Sequence, residues 1–359
     1  MINCSEWEYT YSIIYSERTI VVKDNSCIIA QRKKTSIGGQ ALIEGIMMRG
    51  PKKTAMAVRH TSGEIVIKEW DNSSKKVNKF FKLPIIRGVY NFITSLSIGY
   101  KCLMESAELS GLEDEVPSKK KSAEDTSEQS CEAVAQESQT VEDDKDKKKS
   151  DALMNVLMLI ASVLGVALAL VLFMYLPAQI FSWLTKAFPV LEGNFLRSLF
   201  EGVLRIVIFV LYMYLVSLMK DIRRTFMYHG AEHKTIFCYE AGLELTVENV
   251  RKMNRFHPRC GTSFMILMLI VGIIISMFIS VTNPFLRTVI KLALLPLTVG
   301  IGYELIKIAG RHDNAFTRLI SLPGVWLQHI SVLEPEDDMI ECAIKAVELV
   351  IPGDNSDNW

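Results

Sequence analysis

The sequence predicts an α-helical integral membrane protein of about four transmembrane helices, with a small mixed α/β cytoplasmic region ahead of them. Three observations predict it. The 359 residues are 49% hydrophobic yet 22% charged, with a positive mean hydropathy, a mixture that folds only if the two classes are segregated along the chain. They are segregated: long apolar runs follow residue 150, and Lys and Arg collect in particular stretches between them. A segment from 112 to 150, dense in Glu, Asp, Lys, Ser and Gln, divides the chain and reads as a disordered linker, because it offers too little apolar surface to offset its ordering entropy.

Ahead of that linker, residues 36–111 form the predicted cytoplasmic α/β region. TAMAVRHTSGEIVIKEW at 54–70 alternates on either side of Ser62-Gly63, the pattern of two short strands and a turn. Ile86, Val89, Tyr90, Ile93, Leu96, Tyr100, Leu103 and Met104 recur at helical spacing, with Asn91, Thr94, Ser95 and Lys101 opposite. That helix should lie on the membrane surface or against the bundle.

The membrane domain, 151–310, holds the predicted spans. Leu153 to Leu176 and Phe264 to Val281 are free of charge, and Thr262 or Ser263 is placed to cap the second of them. Leu199 to Met219 contains Glu201 and Arg205, whose i,i+4 spacing lets each neutralise the other. Phe285 to Ala309 has a clean centre, with Arg287 and Lys291 at one end and Glu304 and Lys307 at the other, where the lysines snorkel. Residues 311–359 complete the chain as an amphipathic cytoplasmic tail.

Charge orients the bundle. KDKKKS at 145–150 and the eight Lys and Arg of 220–263 contrast with Lys186 and Arg197 alone in 177–198, so the positive-inside rule places both termini and the 220–263 loop in the cytoplasm of a multi-pass cell-membrane protein. Zero formal net charge gives no reason to expect a nucleic-acid partner. Seven cysteines without a CxxC pair do not form a disulfide framework, and the mixed N-terminus lacks the form of a secretory signal.

Candidate chemistry sits in the 220–263 loop. His229-Gly230-Ala231-Glu232-His233 is an HxxEH pattern, which on a helix turns both imidazoles toward one ion. In zinc hydrolases of this inverted pattern the carboxylate, here Glu232, takes a proton from the attacking water. His257 and Cys260 add an imidazole and a thiolate just before the third span. The bland reading is a histidine-rich surface for headgroups or a partner, and Gly230 weakens the helix by about 1 kcal/mol. Glu304 could approach as a distal ligand, but a pair with Lys307 is preferred. GGQALIEGIMMRGP at 38–51 reads as a close-packed turn structure in which Glu44 and Arg49 form a local ion pair; no Lys-Ser or Lys-Thr follows its glycines, so it is not a phosphate loop.

Taken together, GGQALIEGIMMRGP, Arg87-Gly88-Val89, YHGAEHKTI at 228–236, HPRCGTSF at 257–264 and LPGVWLQHISVLEPEDD at 322–338 resemble the YqhQ-like family of uncharacterised bacterial membrane proteins, over roughly residues 36–348. The first 35 residues and the charged linker depart from its usual pattern. The resemblance implies a membrane location and a predicted metal-dependent enzyme, and the suspicion falls on His229, Glu232, His233, His257 and Cys260. Two expectations stand. One is a zinc-type hydrolase at the cytoplasmic membrane face, with Glu232 as base and a peptide or lipid headgroup as substrate. The other is a non-enzymatic scaffold or assembly factor for membrane proteins, with a structural ion on His229, His233, His257 and Cys260.

Overall fold

The computed structural model describes residues 18–23, 26–31, 34–72, 78–112, 156, 160–191, 193–312 and 314–357. Apart from Leu112, the charged linker lies outside the described residues. Strands β1 (Arg18–Lys23) and β2 (Ser26–Gln31) pair antiparallel as a separate two-stranded sheet. Strands β3 (Gly38–Leu42), β4 (Gly45–Arg49), β5 (Lys53–Arg59) and β6 (Ile65–Asp71) form an antiparallel meander in sequence order. The expected hairpin at 54–70 is present, and Gly63 at its turn has φ 88°, a conformation that favours glycine. The 38–51 motif is itself a hairpin, with Gly38 opposite Arg49.

Alternation along the strands sends side chains to two cores. Ile46, Met48, Ala55 and Ala57 face helices α4 (Lys220–Glu240) and α10 (Asp337–Glu348). Leu42, Met47, Met56 and Val58 face Cys102 of helix α1 (Ile86–Ser110). The segment expected as a tail therefore supplies a wall of the sheet's core: Met339, Ile340, Cys342, Ala343 and Ala346 of α10 are fully buried. On α1 the apolar row Ile93, Leu96, Tyr100 and Met104 is exposed.

The remaining helices are α2 (Ile160–Ala187), α3 (Asn194–Ser217), α5 (Val247–Arg251), α6 (Gly261–Ser276), α7 (Pro284–Ala293), α8 (Leu295–Arg311) and α9 (Ala315–Ser331). Among the described residues, α2 and α3 are long and apolar enough to cross a membrane, and the bent pair α7–α8 would count as a third. The predicted third span, α6, is apolar but is only 16 residues long. The last predicted span is broken by 50° between α7 and α8, where Pro296 in the first turn of α8 cannot continue an unbroken hydrogen-bond ladder. Within α2, the turn Val171–Tyr175 widens to a π-helix just before Pro177.

Several expected ion pairs are formed with other partners. Glu201 does not pair with Arg205; Arg197 Nε donates to its Oε1 at 2.9 Å, Arg287 Nε to Oε2 at 3.2 Å, and Lys291 also donates to Oε2. Lys291 thus turns inward to a buried carboxylate instead of snorkelling, and Arg287 turns inward beside it. Glu44 pairs with Arg224 of α4, not Arg49, and also accepts from the Tyr228 hydroxyl at 3.3 Å. Glu304 is held by both forks of Arg87, with Nε donating at 2.6 Å, rather than by Lys307. Cys260, not Thr262 or Ser263, is the N-cap of α6, its sulfur accepting the Thr262 amide at 3.4 Å.

Candidate metal centre

His229, Glu232 and His233 lie on the continuous helix α4, so the i,i+4 spacing does bring the two imidazoles to one face. Their ring centroids are 4.5 Å apart. Gly230 has a packing reason to be glycine: a Cβ there would overlap the carbonyl oxygen of Leu333, in the segment after α9.

Each imidazole is fixed by a backbone carbonyl. His229 Nδ1 lies 3.0 Å from Ser331 O, and His233 Nδ1 lies 2.5 Å from Arg255 O. A carbonyl oxygen only accepts, so Nδ1 is the donor in both rings and Nε2 is the atom left to face a ligand. Metal-binding histidines are held in this way by their outer partners. His229 Nε2 faces Cys260 Sγ at 3.1 Å, and the ligand atoms of His229, His233 and Cys260 all lie within 4.8 Å of one another. Cys260 presents its sulfur at the amide end of α6, where the helix dipole favours negative charge.

A tetrahedral zinc sets its ligand atoms about 3.5 Å apart. The three ligand atoms, all within 4.8 Å of one another, are close to that spacing, and two imidazoles with one sulfur suit such an ion. The residues present fit the group.

His257 stands beside the cluster rather than in it. Its ring lies 5.4 Å from that of His233 and 4.6 Å from that of Phe237, and its Nδ1 accepts the Arg259 amide at 3.2 Å. Three of the four expected ligands are therefore brought together. Fully buried Gln328 clamps the His257 backbone, accepting its amide at 2.8 Å and donating to its carbonyl at 2.7 Å.

Glu232 is buried beside this trio. Its Oε1 accepts the Gly39 amide at 3.0 Å, and its Oε2 is buried with no hydrogen-bond partner among the described residues. Burial pushes the carboxyl up from the usual carboxylate range, against the opposing pull of His229 and the Gly39 amide. A Cβ on Gly39 would lie 3.1 Å from the Glu232 carboxyl carbon and 2.7 Å from Met47 O, so the glycine allows this approach of β3 to α4.

Sequence reasoning missed the supporting residues: Gly39, Gln328, and the carbonyls of Arg255 and Ser331. A glutamine in the apolar helical run LPGVWLQHIS was the one local signal. Lys234, next to His233, is buried and donates to Arg251 O at 2.9 Å and to Glu334, tying down the segment that carries Arg255.

Residues 83–352 match the family described as "Protein of unknown function (DUF1385)". The chain is 32% identical over 311 residues, 86% of its length and 90% of the relative's, to a protein of Bacillus subtilis (strain 168) described as "Uncharacterized protein YqhQ". No solved structure matches it.

Proposed function

The chain belongs to the DUF1385 family of YqhQ-like proteins, and from that premise we propose that it is a membrane-embedded, metal-dependent hydrolase working at the cytoplasmic face. The observation that carries the reading is the cluster of His229, His233 and Cys260, in which a backbone carbonyl anchors Nδ1 of each imidazole and leaves Nε2 as the ligand atom. Three protein ligands leave a fourth position open, the arrangement of catalytic rather than closed sites. A zinc-type ion held there supplies Lewis-acid activation of water and of a carbonyl or phosphoryl oxygen. Glu232, through its free Oε2, accepts the proton of the attacking water and returns it to the leaving group, while Gly39 holds the other oxygen in place. His229 is the partly exposed member of the trio and marks the side from which a peptide or lipid headgroup enters.

The membrane part of this proposal has α2, α3 and the pair α7–α8 crossing the bilayer, with α6 as a short fourth crossing of about 24 Å. Support comes from the exposed apolar rows Val163, Leu164, Val166 and Leu168 on α2 and Val203, Val207 and Leu211 on α3. Loop charge puts the sheet region and α4 in the cytoplasm.

Burial of His233 and Cys260, at 2% and 5% exposure, favours a second reading in which the ion is structural and the protein a scaffold for membrane proteins. One experiment separates them. The detergent-purified full chain should carry about one zinc-type ion, and Glu232→Gln should keep ion and thermal midpoint yet fail to complement a deletion strain. A silent Glu232→Gln favours the structural ion. Wild-type protein without stoichiometric metal sinks both.

A further inference from the structure

A second concentration of charge lies near the start of α3, the end away from α4 and its histidines. Arg197 and Arg205 of α3 and Arg287 and Lys291 of α7 are all buried, and among the described residues Glu201 is the one carboxylate paired with any of them. Arg197 and Arg287 spend their other donors on Thr282 O, Ser182 Oγ, Ser198 Oγ and the carbonyls of Ile279 and Ser276. Four formal positive charges thus face one negative charge. A guanidinium does not lose its proton in a protein, so the excess persists even with a neutral lysine. Burying such an excess is strongly unfavourable unless a counter-charge is supplied.

Arg205 is where a counter-charge is wanting. Pro177 cannot donate to the carbonyl of Phe173, four residues earlier, and Arg205 Nε takes that oxygen at 2.7 Å. Its Nη2 is buried with no hydrogen-bond partner among the described residues, and the residue as a whole is 7% exposed. Arg205 and Lys291 both line a cavity of about 160 Å³ whose other walls include Met174, Met265, Met268 and Leu295. Met265 and Leu295 are also exposed at the bundle surface, so the cavity reaches the face that would meet lipid.

We propose that this cavity binds an anionic headgroup carried on an apolar chain, a carboxylate or phosphate whose oxygens take the free Nη2 of Arg205 and face the Lys291 ammonium while the chain lies along the methionine wall. The apolar chain, rather than a bare ion, follows from those walls: thioether and aliphatic groups give an inorganic anion nothing to bond, whereas they bury methylenes favourably. The lipid source rests on the spanning reading above.

The test uses the full chain in a maltoside detergent and follows its thermal midpoint with oleate, phosphatidic acid, phosphatidylcholine or inorganic phosphate. Oleate or phosphatidic acid should raise the midpoint by a few degrees, whichever does so naming the headgroup, and the neutral lipid and free phosphate should not. Arg205→Gln should weaken this binding by about tenfold or more. Gly272→Leu should do the same by filling the space, since a Cβ at that cavity-lining glycine meets only Thr298 Cγ2, at 3.8 Å. Equal protection by inorganic phosphate, no protection by either anionic lipid, or indifference to both variants would overturn the proposal. Alkaline extraction of the membranes keeps the two readings apart: release of the chain sinks the spanning reading, whereas retention without lipid protection sinks this site alone.

Discussion

Gly230 lies so close to Leu333 that a methyl group in place of its hydrogen would overlap the Leu333 carbonyl oxygen. The Leu333 amide is itself bonded to Phe226 O of the same helix at 3.0 Å, so the segment after α9 cannot simply drift away. Helix propensity alone would make Gly230→Ala stabilising by about 1 kcal/mol. The overlap is with backbone, and it should win, giving a net loss of about 1–3 kcal/mol measured as a lowered thermal midpoint. A raised midpoint would show that α4 does not pack on this segment.

Cysteine reactivity gives a readout of the metal cluster that does not depend on activity. Burial pushes the Cys238 and Cys342 thiols up to about 11, which leaves little thiolate at pH 8. Both should alkylate slowly with or without chelator. Cys260 as a ligand should be protected by the ion and become alkylated roughly ten times faster after chelation, as read by peptide mass spectrometry. An unchanged Cys260 rate on chelation would remove it from the ligand set.

Glu304 is engaged by Arg87 of α1, which argues against a role at the ion. Glu304→Gln should leave the metal content unchanged. Because both side chains keep partial exposure, 32% and 21%, its effect on stability should be on the order of 1 kcal/mol. Loss of metal in this variant would restore Glu304 as a distal ligand.

Reporter fusions test the orientation drawn from loop charge. Fusions after Lys234 and after Asp338 should report cytoplasm, and one at Gly193, between α2 and α3, should report the outside. An outside signal at Lys234 would reverse the topology and take the cytoplasmic active-site reading with it.

What was legible in the sequence is what depends on neighbours along the chain. The period-two pattern around Ser62-Gly63 became β5 and β6, the apolar spacing from Ile86 became α1, and HxxEH became two imidazoles on one helical face. What was not legible depends on residues far apart. Glu201 carries an i,i+4 arginine on each side, and spacing gives no reason to prefer Arg197 over Arg205. The choice is made by Pro177, which frees the Phe173 carbonyl for Arg205, and by Arg287 and Lys291 arriving from α7. Likewise Cys260 and His257 are near neighbours in sequence, yet only the cysteine reaches His229, because Gln328 and the Arg259 amide hold His257 aside. The burial of α10 under the sheet was hidden for the same reason: its strong amphipathicity says that one face is covered, not by what.

Glu201 should be among the least replaceable residues of the bundle, and the reason separates charge from packing. Glu201→Gln keeps the shape of the side chain but leaves Arg197, Arg287 and Lys291 facing a neutral amide, and breaking such a buried arrangement costs about 3–5 kcal/mol. Removing one cation at the same time should relieve part of that cost. The double variant Glu201→Gln/Lys291→Met should therefore be less destabilised than the sum of the two single changes, by about 1–3 kcal/mol in a double-mutant cycle. Denaturant titration in detergent measures all three. Strict additivity would mean that Lys291 does not draw its counter-charge from Glu201, and a Glu201→Gln variant as stable as the wild type would mean that the arginines are neutralised by another anion.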